Sequence, residues 1–425
     1  MRNFQGRRIK KSYIYYPVTK KIIINGSIFI LTLFVLVIVY KCKNPTRESD
    51  YFNPNVLATH FNGERFVGST TCMECHADIY TTHLETAHFK SSAIANAGNV
   101  KGSFEEGSNM LDLRDVAFEM KTNKDSLYQH TTLKNRSLKK PPSKFDIVIG
   151  SGVKGQSYLT WENDALYQMQ VSYYTPSNEW VNSPSFPNYD YSRPIGDACL
   201  KCHMTFAANQ NTSKQRNTFD KDRMVYGIDC ERCHRPGEKH VVYHRNNPDA
   251  KEAKYMLRLQ DLPRQQRLDA CAQCHSGLRN ELLKGSPFSY LTGEVLSEYS
   301  RNNDTLTSNQ NLDVHGNQYG LLSSSECFKQ SATLDCNTCH DPHKNQRGNS
   351  NYFNSKCIGC HDVNKSRCTA EAIVQNKMQN NCIACHMPTI ASKAMQVQLI
   401  KDSLETSFYV RSHLIGVYAK EQWEN

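Results

Sequence analysis

Seven times along this chain, two cysteines stand three positions apart with a histidine directly behind the second. Motif 1 is Cys72, Cys75 and His76; motif 2 is Cys199, Cys202 and His203; motif 3 is Cys230, Cys233 and His234. Motif 4 is Cys271, Cys274 and His275; motif 5 is Cys336, Cys339 and His340. Cys357, Cys360 and His361 make motif 6, and Cys382, Cys385 and His386 make motif 7, so the set uses 14 of the 17 cysteines. Two thiols at this gap match the spacing of the two vinyl groups of haem, to which they add. The adjacent imidazole then falls under the iron as its proximal ligand. A zinc ribbon pairs one CxxC with another and needs no histidine behind it. A thioredoxin-like CxxC stands once, near a βαβ pattern. Seven covalently bound haem c groups, with their iron, are therefore expected.

Nine histidines remain: His60, His83, His88, His130, His240, His244, His315, His343 and His413. They are enough to give every iron a second imidazole, although some are expected to be ordinary solvated side chains. His240 follows motif 3 across a Pro236-Gly237 turn. His343 lies three residues after His340, too close to reach the same iron from its other face. Both should therefore ligate a neighbouring haem. His88, about three helical turns beyond motif 1, and His315 are the next candidates. Met204 and Met387 sit directly behind bound histidines, where packing is the expected role. Cys327 and Cys368 could form a disulfide in an oxidising compartment.

What positions these groups follows from the gaps between motifs. Motif 1 stands alone, and six motifs crowd into residues 199–386. Successive motifs that close leave room for a short helix and a loop per haem, with porphyrin supplying much of the apolar core. The expected fold is mainly α with long loops, a multihaem cytochrome c core within residues 66–425. A small β-containing insertion is expected at about 100–195, because Phe145 to Gly152 is rich in β-branched residues and Ala165 to Tyr174 partly alternates. Residues 302–311 read as an exposed polar loop.

Residues 22–40 carry no charge over 19 positions, about the length of a bilayer span. Arg2, Arg7, Arg8, Lys10, Lys11, Lys20 and Lys21 precede them without an acid. The expectation is one transmembrane helix behind a cytoplasmic tail of residues 1–21, with a tether at 41–65 and the remainder in the periplasm. A cleaved signal peptide fits less well, since no small-residue cleavage site follows, and Lys41 before Cys42 suits a lipoprotein poorly. Net charge is +10, but nine of the 51 basic residues and none of the 41 acidic ones precede residue 44. The remainder is close to neutral before haem propionates are added, so no nucleic-acid partner is expected.

The segment FVGSTTCMECHADIYTTHLETAHFKS resembles the first haem segment of multihaem cytochromes related to the nitrifiers' tetrahaem cytochrome c and hydroxylamine oxidoreductase. YGIDCERCHRPGEKH, DCNTCHDPHK, NCIACHMP and VRSHLIGVY are similar to later segments of that group, and the resemblance covers roughly 66–90 and 195–420. It implies closely packed haem pairs, irons held mostly by two histidines, and distal roles for His88, His240, His343 and His413. Seven motifs match neither the four haems of the carrier nor the eight of the oxidoreductase.

Electron transfer is the expected function. The partners would be a membrane dehydrogenase or quinol-oxidising complex, other periplasmic redox proteins and the cytoplasmic membrane. The alternative is an oxidoreductase acting on a small nitrogen or sulfur compound at one open haem. No motif here replaces its histidine with the lysine that marks the active haem of pentahaem nitrite reductases. A third reading is a docking subunit of a respiratory complex, and fold alone does not choose among these.

Overall fold

The computed structural model describes residues 54–210, 216–302, 312–361, 381–399, 405–419 and 422. Residues 22–40, on which the transmembrane expectation rests, lie outside this set, as do Cys42, Cys368 and most of the 302–311 segment. The described residues belong to one unit, Pro54–Asn425.

The helices are short because the motif asks for little. One turn suffices to set two thiols and an imidazole on one side of a porphyrin. Accordingly α2 (Asp197–Leu200), α3 (Cys230–His234), α8 (Cys336–Cys339) and α10 (Cys382–His386) run four or five residues each. Longer helices are α1 (Ser69–His83), α4 (Glu238–Asn246), α5 (Arg264–His275) and α9 (Ser350–Ile358). α6 (Gln318–Ser323) and α7 (Glu326–Gln330) link motifs 4 and 5. Asp335 caps α8 through a capping box with Thr338, and the Asp229 carboxylate accepts from the Cys230 N–H at the start of α3.

Among the described residues, nineteen strands contribute more of the architecture than the helices do. Between motifs 1 and 2 lie two antiparallel sheets. One holds β4 (Met110–Asp112), β5 (Val116–Asn123), β6 (Ser126–Leu133) and β7 (Leu138–Lys139) in that order, with β8 (Ser143–Lys144) also on β6. The other runs β12 (Glu179–Asn182), β11 (Ala165–Tyr174), β10 (Gly155–Glu162), β9 (Ile147–Ile149) and β3 (Ser92–Ile94), with β13 (Arg193–Pro194) beside β11. Leu111, Phe118, Met120, Phe145, Tyr158, Val171 and Trp180 fill a shared core drawn from both sheets. A second cluster (Ile147, Leu159, Leu166, Leu200, Met204, Phe206, Phe288) joins the larger sheet to the segment around motif 2. The hairpin β18 (Thr389–Gln398) and β19 (Glu405–Arg411) packs Val397 and Phe408 on Tyr174 and Val181. Smaller pairs are β1 (Ala58–Thr59) with β2 (Arg65–Phe66), β14 (Met204–Phe206) with β15 (Val225–Tyr226), and β16 (Asn280–Leu282) with β17 (Ser300–Asn302).

Two expectations are corrected here. The fold is mixed, with many antiparallel sheets, and is not mainly α. The physical reason is a division of labour: a one-turn motif needs almost no helix, while the sheets build side-chain cores of their own. The single-pass inner-membrane placement is corrected as well: among the described residues, a set that leaves out 22–40, no helix is long and apolar enough to cross a membrane.

Candidate haem-binding site

Imidazoles from distant parts of the chain face one another in pairs. With a metal–nitrogen bond of about 2 Å on each side, two rings on opposite faces of one ion have centroids roughly 6 Å apart. His76 and His240 stand 6.5 Å apart with planes 18° from parallel. His234 and His343 are 6.0 Å apart at 16°, and His340 and His413 are 6.1 Å apart at 27°. His88 and His275 are 6.1 Å apart at 62°. His315 lies beside His203, close enough to lower its pKa. Each pair joins one motif histidine to one spare histidine. All five expected distal candidates (His88, His240, His315, His343, His413) are therefore brought next to a motif. Among the described residues no histidine ring pairs with His361 or His386.

The protonation states suit a metal. Burial pushes His88, His203 and His413 each down to about 4. It also lowers His234, His240, His315 and His340. The neutral ring with its free lone pair is the form that binds iron. Backbone carbonyls fix which nitrogen is left free. His234 Nδ1 donates to the Leu257 carbonyl at 2.8 Å, His240 Nδ1 to Lys254 at 2.7 Å and His386 Nδ1 to Gly416 at 2.7 Å. Nε2 of each ring remains for a ligand. The fourteen motif cysteines carry no disulfide and are available as thiols. The residues present therefore fit covalently attached haem, which would supply one-electron redox chemistry.

How His240 crosses from motif 3 to motif 1 is visible in the contacts of α4. Arg65 pairs with Glu238 at 2.6 Å, Lys239 with Glu64 at 3.5 Å, and Arg245 with Glu74, inside motif 1, at 2.7 Å. Beneath them the Glu231 carboxylate, only 2% exposed, accepts from the N–H groups of Val67, Gly68 and Gly237 at 2.7–3.2 Å. One acid within motif 3 thus holds both the start of α1 and the turn into α4. α1 itself kinks at His76 (φ −119°, ψ 43°), so the motif and the Ala77–His83 segment point differently.

Sequence reasoning did not single out Glu231, Glu74 or Arg245. The one available signal is the acid–base pair inside Cys230-Glu231-Arg232-Cys233. Of the other spare histidines, His60 is held by the protein, with Nε2 against the Phe288 carbonyl at 3.0 Å. His130 pairs with Glu119 in the β5–β6 hairpin. His244 touches the His240 ring at 4.5 Å. His83 lies 6.4 Å from His343 and 3.7 Å from the Asp229 carboxylate.

The family described as cytochrome c554 and c-prime matches residues 158–235, a span that contains motifs 2 and 3. The outer cell wall cytochrome OcwA is similar in structure at 17% identity, over 82% of this chain and 79% of its own, with a TM-score of 0.49. An undecahaem cytochrome from the S-layer of Carboxydothermus ferrireducens is similar at 16% identity, over 77% of this chain and 45% of its own, with a TM-score of 0.34. No protein of curated function matches the chain in sequence. A chain that repeats the haem-attachment signature along its length, with a cytochrome family match across two of the repeats, is a multihaem c-type cytochrome that binds haem c covalently.

Proposed function

We propose that the chain carries seven haem c groups, one on each motif, and relays electrons between redox partners. The observation that carries this reading is the set of facing imidazoles at 6.0–6.5 Å. An iron held between two histidines has no open position for a substrate, which favours a carrier over an enzyme. In this reading His240 serves motif 1, His315 motif 2, His343 motif 3, His88 motif 4 and His413 motif 5. The electron donor would be a dehydrogenase or a quinol-oxidising complex, and other redox proteins would accept. The finer kinship with the nitrifiers' cytochromes rests on the haem segments quoted above.

The test is an electron paramagnetic resonance spectrum of the oxidised protein, with haem counted as pyridine haemochrome. Seven haems with low-spin bis-histidine signals predominating is the expected result. A count below seven, or a spectrum dominated by high-spin iron, overturns the reading.

A further inference from the structure

Residues 313–318 are held at both ends. The Asp313 carboxylate fastens them to the hairpin that follows motif 7: Oδ1 accepts from the Ser392 hydroxyl at 2.8 Å, and Oδ2 from the N–H groups of Lys393 and Ala394 at 2.6 and 3.2 Å. Those residues sit where β18 slips its register against β19, so the ladder leaves their N–H groups free to bond elsewhere. Oδ1 also accepts from the His315 N–H at 2.7 Å, which steadies the backbone of the distal ligand proposed for motif 2. Gly316 then turns the chain through a left-handed conformation (φ +70°), and its carbonyl accepts from the Gly277 N–H, just past motif 4, at 2.7 Å. The Asn317 side chain caps α6 by accepting from the Gly320 N–H at 3.2 Å. Gln318 is therefore the first residue of α6, and it stands beside His275.

The Gln318 amide has one orientation that satisfies both of its neighbours. Its Nε2 donates to the Val314 carbonyl at 2.9 Å, and a carbonyl can only accept, so Oε1 faces the other way. There Oε1 lies 3.3 Å from His275 Nδ1 and can itself only accept. His275 must then carry its proton on Nδ1 and leave Nε2 for iron. At His234, His240 and His386 the same task falls to backbone carbonyls, which no side-chain substitution removes. At His275 it falls to a side chain.

Resting on the seven-haem reading above, we infer that Gln318 is a positioning residue for the iron on motif 4: its amide oxygen fixes the His275 tautomer and sets the midpoint potential there. A hydrogen bond accepted from Nδ1 raises the basicity of the ring. A more basic ligand favours ferric over ferrous iron, so this acceptor holds the potential down. The anchor at Asp313 and the cap at Asn317 keep the acceptor in place, which makes its effect a fixed property of the fold. One short segment thus serves two irons, presenting His315 to motif 2 and Gln318 to motif 4.

The experiment is a redox titration of the haem-loaded full chain followed by electron paramagnetic resonance, with haem counted in the same sample. The rings of His88 and His275 cross at 62°, whereas those of His76 with His240, His234 with His343 and His340 with His413 lie within 27° of parallel. Crossed rings give a low-spin signal at large g and near-parallel rings a rhombic one, so the iron on motif 4 is followed apart from those three. In Gln318→Leu, which removes the acceptor, the potential at which the large-g signal disappears on reduction should rise. In Gln318→Glu, which puts a carboxylate there, it should fall, while the rhombic signals titrate as in the native chain. No shift in either variant, or shifts of the same sign in both, overturns the role of Gln318. Should Gln318→Leu load haem poorly, Gln318→Glu decides alone, and a rise or no change there overturns the role. A count below seven in the native chain overturns the heptahaem reading instead.

Discussion

The His240 ring lies 6.5 Å from the His76 ring and within 18° of parallel to it, although the two belong to the neighbourhoods of different motifs. What holds them so is α4, fastened across the front of motif 1 by Arg245 on Glu74 and by Arg65 on Glu238. In the proposed reading, the distal ligand of one haem is thus delivered by the polypeptide that attaches another.

Replacing His240 should remove one axial ligand and leave the rest. In His240→Ala one low-spin signal of the oxidised protein is expected to convert to high-spin, with the haem count unchanged. His244→Ala, altering a ring only 4.5 Å away, should leave the spectrum as it is. An unaltered spectrum in His240→Ala would exclude the ligand assignment.

Glu231 should matter far more to stability than an exposed acid. Truncation in Glu231→Ala strips the partner from three buried N–H groups, and losing one side of such a network costs about 3–5 kcal/mol. Arg245→Ala, whose Glu74 partner is half exposed, should cost about 1 kcal/mol or less. Denaturant melts of the two variants measure the contrast, and similar losses would contradict it.

Burial pushes Glu231 up to about 7 from 4.5, against the pull of its backbone donors. Between those two values the folded chain keeps a proton that the unfolded chain releases. Its contribution to stability is therefore full below about pH 4.5 and declines by roughly 3 kcal/mol as pH rises to about 7. Glu231→Gln, which cannot titrate, should flatten the fall in melting temperature across this window. An equally steep fall in the variant would assign the slope to other groups.

The β-rich region has its own core, and Trp180 is its largest member at 2% exposure, with its indole N–H on the Ser103 carbonyl at 2.8 Å. Trp180→Ala should cost about 3–5 kcal/mol. Gly102→Ala should also destabilise, because a Cβ there would meet the Trp180 ring at 2.0 Å. In both variants the haem spectrum should change little while thermal stability falls. A lost or altered haem spectrum would show that the sheets and the haem segments share one core.

Seven motifs were legible without any structure, because covalent attachment needs only a local pattern, two thiols and an imidazole within five residues. The five distal candidates were legible in part, from proximity to motifs and from resemblance. Which motif each faces was not, since a histidine such as His343 comes beside His234 only through the folding of the chain between them. The hairpin Val116–Leu133 escaped notice for a different reason. Its inward residues alternate with Glu119, Lys121 and His130 in a stretch too polar overall to announce a core. Glu231 is the sharpest case. By sequence it is one variable residue inside a motif, and only burial against Val67, Gly68 and Gly237 gives it a role. Local chemistry was fixed by residue type and spacing; the pairing of imidazoles and the order of the motifs depend on contacts between residues far apart in the chain, which only the tertiary structure supplies.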